Sequence, residues 1–409
     1  MFSNLLKLFY SFLEKGLKIG IISYYYPFKK PSTSGVGIHV YNLVSNLAKK
    51  GCEVHVFTYG KEDEINRTYF GSGKIIVHFL KSDFDLDLED PVVEKRVRYA
   101  IFENRVLNEF LLENSRRKFD IIHTHGWLTS CAFMLKYLTK IPWVHTVHAL
   151  EHNRLASMTP EEKEMFKITS WIEKTLINAD KLIAVSESAK SEILKLFKKS
   201  ENKIEVIYNG VDLKLFRPLG EKEKMILCVT RFSMEKGVEL LPEIIKNVLN
   251  VNREFKFVLV AQKTSLPGLK DVQNKLIALS NKFKDRFIWN SDPLMPQNLA
   301  KLYQKSEIYV QPSFYETFGL CILEAMACEN AVIATNVGGI PEVVGDSGIL
   351  VEPDSRKISI ELIKLLKSRS KIEEYKKKAF ERAKNFDWRT IANKTIVLYK
   401  KVIENTKSS

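Results

Sequence analysis

Two glutamates eight positions apart are the first sign of chemistry in this chain. Glu316 and Glu324 lie in "SFYETFGLCILEAMACENAVIAT", residues 313–335, one before an apolar helical pattern and one inside it. A carboxylate within a core-forming run is costly unless a partner uses its hydrogen-bonding capacity. A vicinal diol such as ribose would do so, since one carboxylate accepts two hydrogen bonds. "ETFGL" also sets backbone N–H groups at the start of a helix, a ready anion site. Read as helix throughout, the interval covers ~12 Å at ~1.5 Å per residue, the span of a diphosphate plus a sugar.

Other residue types point the same way. In "CVTRFSMEKGVELL", Arg231 and Lys236 stand between a strand pattern and a helix. A planar guanidinium fork and a compact ammonium together suit a pyrophosphate. Earlier, "YYYPFKKPSTSGVGIHVYNLV" places Gly35 and Gly37 immediately before a helix. Such glycines either let backbone approach an anion or simply make a tight corner. Val40 departs from the G-x-G-x-x-G fingerprint. "IIHTHGW" carries His123 and His125 at a strand end, and "WVHTVHALEHNR" carries His148 and Arg154. His123 reads as a structural strand-end residue, while His125 is open to an acceptor role.

Elements must hold these residues in place. "LKIGIIS", "EVHVFTY", "FDIIHTH", "PWVHTVH", "KLIAVS" and "KIEVIYNG" read as buried strands, with helical patterns at 36–50, 127–138, 161–178 and 187–198. Alternation of this kind signals βαβ units and a parallel sheet. The polar stretch "KLFRPLGEKEK" interrupts the rhythm, and "MILCVTR", "FKFVLVA", "RFIWN", "EIYVQPS" and "NAVIAT" restart it. The expected architecture is α/β, with two doubly wound halves facing across a cleft. Residues 17–211 form the first half, completed by a final helix at 388–409, and 212–387 form the second. Ligands of open parallel sheets sit at the carboxyl ends of strands, where all these motifs fall.

Composition restricts the partners. The chain has 409 residues, 45% hydrophobic and 27% charged, which describes a globular protein too long for one ordinary core. A net charge of +14 favours anionic partners, phosphorylated small molecules among them. The basic helical stretches carry no aromatic-interleaved motif of a nucleic-acid reader, so no nucleic-acid partner is expected. Cys52, Cys131, Cys228, Cys321 and Cys328 form no C-x-x-C pair, which suggests neither zinc site nor disulfide framework and fits a reducing, cytoplasmic setting. The opening segment 1–16 puts Leu5, Leu6, Phe9, Phe12 and Leu13 on one helical face. It lacks the features of a secretory signal, and packs on the protein, forms a poorly ordered extension or makes peripheral contact at the inner membrane face.

"SFYETFGLCILEAMACENAVIATNVGGIPEVV" closely resembles the donor-site signature of the retaining glycosyltransferases of family 4, with an E-x(7)-E pair followed by G-G-x-P-E. "SGVGIHVYNL", "IAVSE", "VIYNGVD" and "TRFSMEKG" extend the resemblance over nearly the whole chain after the N-terminal segment. It implies the GT-B fold, two Rossmann-like domains with the active site between them. It also implies that Glu324 binds ribose, that Glu316 faces the transferred sugar, and that Arg231 and Lys236 neutralise the diphosphate. The amides of Phe318, Gly319 and Leu320 would add donors, Gly35 and Gly37 would close on the diphosphate, and His148 would lie beside the anomeric centre. The loop reads G-V-G where many members have adjacent glycines.

The resemblance implies transfer of a hexosyl group with retention, in which a departing phosphate oxygen receives the acceptor proton. No cofactor and no catalytic metal are expected. "TVHALEHNR" and "SWIEKTLINADKLIAVSE" resemble the small glycogen-synthase-like branch, with Ala149 in place of its serine and Leu150, Glu151 and Arg154 matching. This favours a glucosyl donor, as a UDP-, ADP- or GDP-hexose, and a glycan or sugar-phosphate acceptor. A lipid-linked or cell-surface glycan acceptor is the alternative, and a sugar-nucleotide epimerase or phosphorylase on the same fold is the alternative of another class. The D-x-D pattern in "DFDLDLED", residues 83–90, reads as a solvated loop, and "GSGK" at 71–74 lacks phosphate-loop spacing.

Overall fold

The computed structural model describes residues 16–27, 34–82, 91–126, 130–150, 172–198, 200–264 and 267–408. The N-terminal extension, the D-x-D pattern, Glu151, Arg154 and residues 161–171 of the helix expected at 161–178 lie outside the described residues, and the described end of that helix is a 3-10 turn at Lys174–Asn178.

The first sheet contains β1 (Lys18–Ser23), β2 (Glu53–Gly60), β3 (Glu64–Phe70), β4 (Gly73–Lys81), β5 (Ile121–His125), β6 (Trp143–Val147), β7 (Lys181–Ala184) and β8 (Ile204–Val206). Its helices are α1 (Gly35–Lys49), α2 (Pro91–Arg116), α3 (Ser130–Thr139) and α4 (Glu187–Leu196). The order across the sheet is β3-β4-β2-β1-β5-β6-β7-β8. All pairs are parallel except β3–β4, an antiparallel hairpin closed at Phe70↔Gly73. "GSGK" is therefore the turn of that hairpin, with Gly71 at φ 58°.

The second sheet contains β9 (Glu223–Val229), β10 (Lys256–Val260), β11 (Phe287–Asn290), β12 (Ser306–Gln311), β13 (Ala331–Thr335) and β14 (Ile349–Val351). It is parallel throughout, in the order β11-β10-β9-β12-β13-β14. Around it pack α5 (Leu241–Val251), α6 (Lys270–Phe283), α7 (Pro296–Lys305), α8 (Leu320–Ala327), α9 (Ile340–Val344), α10 (Ser355–Leu366) and α11 (Arg369–Ala383). β-branched runs make these strands, because sheets covered on both faces need apolar residues on both sides. All six residues of β1 are buried, as are all five of β13.

The chain then crosses back. The Val211 amide donates to the Phe386 carbonyl over 2.8 Å, and Val211 forms a parallel bridge with Asp387. α12 (Trp388–Ser408) follows, and its Trp388, Ile391, Leu398, Tyr399 and Val402 join the core formed by β1, β2 and α1. Gly210 allows this crossing, because a Cβ there would stand 2.7 Å from the Trp388 ring.

Strand order locates the cleft. In the first sheet the chain winds one way from β1 to β2 and β4, then the other way from β5 onward. In the second it winds from β9 to β10 and β11, then from β12 to β14. The crevices lie beyond the carboxyl ends of β1/β5 and β9/β12, where the order reverses. The loop bearing Gly35 follows β1, His125 ends β5, Arg231 follows β9, and Glu316 follows β12. All four motif loops thus stand at switch points.

Candidate functional site

The second-domain wall is charged. Lys236 Nζ lies 2.8 Å from Glu316 Oε2 and 3.4 Å from the Tyr315 carbonyl, so two residues named from the sequence form an ion pair. Arg231 is more than half exposed and pairs with Glu235. The Glu235 carbonyl in turn accepts from the amides of Phe314 and Tyr315 at 2.9 and 3.0 Å. Gly237, at φ 66°, lets this loop lie directly on β12, where a Cβ would meet the Pro312 carbonyl at 1.9 Å.

The interval between the two glutamates departs from the expectation of continuous helix. α8 begins at Leu320, and Gly319 precedes it with φ 101°, a conformation that glycine adopts without strain. Residues 316–319 are loop, so a helical rise describes only the second part of the interval. Gly338 and Gly339 press against this loop: Cβ atoms on them would stand 1.9 Å from the Glu316 carbonyl and 2.2 Å from that of Thr317. The Gly339 amide donates to the Glu316 carbonyl at 2.9 Å. The G-G pair thus shapes the loop that presents Glu316. Phe318 is buried against Tyr208 and Phe386, with ring centroids 6.1 and 5.9 Å away.

Glu324 is 6% exposed. Burial pushes its carboxyl up to about 8, opposed by the Tyr303 hydroxyl.

The first-domain wall is different in kind. Gly35 opens α1 within 3.7 Å (from its Cβ position) of Leu320, so it faces the start of α8, while Gly37 is buried and its amide donates to the Ser34 side chain. On the same helix, His39 Nδ1 donates to Asn209 Oδ1 over 2.7 Å, leaving Nε2 buried with no partner. His125 Nδ1 lies 3.1 Å from His148 Nε2, and His125 Nε2 is likewise buried and unpaired. The His39 and His148 ring centroids are 4.6 Å apart. His123 is spent on structure, contacting the Tyr399 hydroxyl at 2.5 Å and Thr146 Oγ1 at 2.7 Å, as its strand-end position suggested. Burial holds His39 down at about 4 and takes His125 and His148 well below the usual histidine range. Neutral imidazoles offer a hydroxyl group donors and acceptors but no net charge. One ring nitrogen from each of His39, His125 and His148 lies within 4.8 Å of the others, so the trio is also an all-nitrogen set able to hold a metal.

Sequence reasoning passed over His39, Asn209 and Glu342. All three sit inside quoted motifs, and the meeting of the first two depends on a contact 170 positions apart. Glu342 joins the two domains: its carboxylate accepts from the amides of Glu187 and Ser188 at 2.7 and 2.8 Å, at the start of α4. Ser186 caps α4 through the Ala189 amide and donates to the Thr317 carbonyl at 2.7 Å. Tyr315 completes the contact by donating to Glu192 at 2.8 Å.

Comparison with known proteins agrees with this geometry. The model "Glycosyltransferase Family 4" matches residues 33–215, and "Glycosyl transferases group 1" matches 214–383. The chain belongs with the family 4-like GT-B glycosyltransferases. It is 26% identical to alpha-maltose-1-phosphate synthase of Mycolicibacterium smegmatis, over 90% of this chain and 95% of that protein. It is 25% identical to D-inositol 3-phosphate glycosyltransferase of Corynebacterium diphtheriae, over 94% of each. Its fold matches that of sucrose-phosphate synthase from Thermosynechococcus elongatus with a TM-score of 0.79 at 23% identity, covering 95% of this chain and 100% of that one. Among the described residues, no helix is long and apolar enough to cross a membrane.

Proposed function

We propose that this glycosyltransferase moves a hexosyl group, glucosyl in the first instance, from a nucleoside-diphosphate sugar to a phosphorylated sugar or polyol, with retention. The observation that carries the reading is the charged wall at the β9/β12 switch point, with Lys236, Arg231, Glu316 and the buried Glu324 around one loop. Lys236 and Arg231 take the diphosphate, with amides at the α8 N-terminus adding donors. Lys236 then turns from Glu316 towards the leaving phosphate, freeing Glu316 for sugar hydroxyls. Glu324 accepts the ribose diol. His148 and His125, being neutral, position hydroxyls of sugar and acceptor rather than anions. The phosphorylated acceptor is supported by the names of the two relatives, both of which refer to a phosphorylated sugar or polyol. No step requires a metal or cofactor.

The test incubates the protein with UDP-, ADP- and GDP-glucose and a panel of sugar phosphates, inositol phosphate included, and reads product stereochemistry by proton coupling at the new anomeric centre. An α-linked product from an α-linked donor is expected; a β-linked product overturns retention. A second reading, a lipid-linked acceptor, is favoured by α3, which exposes Phe133, Met134, Tyr137 and Leu138 beside Lys136 and Lys140. Co-sedimentation with anionic vesicles checks it.

A further inference from the structure

On the opposite side of the first domain lies a second polar cluster that the transfer reaction does not use. It starts near the amino end of β2 and runs under the last two turns of α2. Glu53 Oε1 lies 3.0 Å from His55 Nε2, His55 Nδ1 lies 2.9 Å from His78 Nε2, and His78 Nδ1 lies 3.2 Å from Glu109 Oε1. Glu113 stands one helical turn beyond Glu109. His55 and His78 are 2% and 1% exposed.

Counting hydrogens shows what is missing. Both rings are buried against the Phe57 ring, where a neutral imidazole with its single N–H is the less costly form. Two N–H groups cannot serve three contacts. The Glu53 carboxylate takes the His55 N–H, so bare His55 Nδ1 takes the His78 N–H. His78 Nδ1 is then a lone pair facing the oxygen of Glu109, two acceptors with nothing between them. Neighbouring cations are engaged elsewhere: Arg116 with Glu113, Arg117 and Lys74 with Glu53, Arg105 with Asp63, and Lys18 with the carbonyls of Glu113 and Arg117. Among the described residues, no lysine or arginine pairs with Glu109.

We propose that His78, Glu109 and Glu113 form a binding site for a divalent transition metal ion of the zinc class, separate from the reaction cleft. One ligand atom from each lies within 4.8 Å of the others. One imidazole and two carboxylates leave a fourth position for water, a donor set that suits Zn²⁺. The Glu53–His55 pair supplies the outer hydrogen bond that fixes the tautomer and orientation of a metal-bound histidine. Arg116 yields one oxygen of Glu113 to the ion. Bound there, the ion ties the end of α2 to β4 and serves stability rather than turnover, so activity without a catalytic metal is compatible with it.

The test uses the full-length protein, stripped with a chelator and titrated with Zn²⁺ by calorimetry and metal analysis. The expected result is one ion bound through this site, a rise of several degrees in Tm, and loss of both in Glu109→Gln and Glu113→Gln. His125→Gln, run in parallel, must retain this ion, because the cleft trio is the other place Zn²⁺ could lodge. X-ray absorption on the wild-type protein with His125→Gln as reference gives a reading that does not depend on the glutamate variants folding. A shell of one imidazole with oxygens supports the site. No binding above background leaves a proton on Glu109 as the filling and overturns the proposal. Zinc that survives both glutamate substitutions, or a shell of three imidazoles lost in His125→Gln, overturns it too.

Discussion

The two walls of the cleft solve opposite problems. On the second domain, Lys236, Glu316, Arg231 and Glu235 are paired charges, and Glu324 is a carboxylate held largely protonated by burial. On the first, His39, His125 and His148 are neutral rings with two unpaired nitrogens. Charges fixed beside the switch point stand ready for a leaving diphosphate once Lys236 gives up Glu316. Neutral rings can orient hydroxyl groups without attracting the wrong anion. On the proposed reading, the difference gives leaving-group chemistry to one wall and the positioning of sugar and acceptor hydroxyls to the other.

The largest expected effect breaks the charged side. Lys236→Ala should lower kcat/KM about 100-fold or more, as loss of a transition-state charge partner does. Turnover at the wild-type level would refute the assignment. Next, His148→Ala should lower kcat about tenfold, the size of a lost hydrogen bond, with nucleotide affinity nearly unchanged. Equal damage to nucleotide binding, measured by calorimetry, would erase the division between the walls.

Glu324 sharpens the comparison through pH. Its folded-state pKa, about 8, is raised above the ordinary 4.5, so its proton stabilises the empty fold fully below about pH 4.5. That contribution fades as pH rises and is lost through about 8. Glu324→Gln should therefore have a higher Tm than the wild type above pH 8, with the two converging near pH 5. Donor affinity of the wild type should instead tighten several-fold between pH 6.5 and 8.5, as the carboxylate that accepts a diol becomes populated. A flat profile in Glu324→Gln and a sloping one in the wild type is the signature to seek. The smallest effect is at Glu342. Glu342→Ala removes the acceptor for two amides of α4, worth about 1 kcal/mol as helix caps are, and should loosen the domain contact. Small-angle scattering should show a larger radius of gyration, and an unchanged radius would remove Glu342 from the domain contact.

Much of the architecture was legible because buried parallel strands demand runs rich in apolar and β-branched residues, and β1, β5, β6, β9 and β12 carry them. The antiparallel β3–β4 hairpin and the 26-residue α2 were not read. β3 is mostly exposed and "EINRTYF" has no apolar alternation, while α2 has a weakly apolar composition. The carboxylate pair was legible as a pair, but not its path, because Gly319 interrupts the helical pattern only through its backbone conformation.

The sequence by itself determined which loops are candidates for the chemistry. Residue types that are costly to bury or strained elsewhere, such as Glu324 in an apolar run and glycines 338 and 339, announce their purpose locally. Tertiary structure alone decided the rest: that Lys236 pairs with Glu316, that His39 finds Asn209, that Glu342 holds α4, and that α12 returns to the first core. It also decided which groups are charged. Proton affinity depends on burial and on neighbours brought from distant segments, and no local window of sequence contains either.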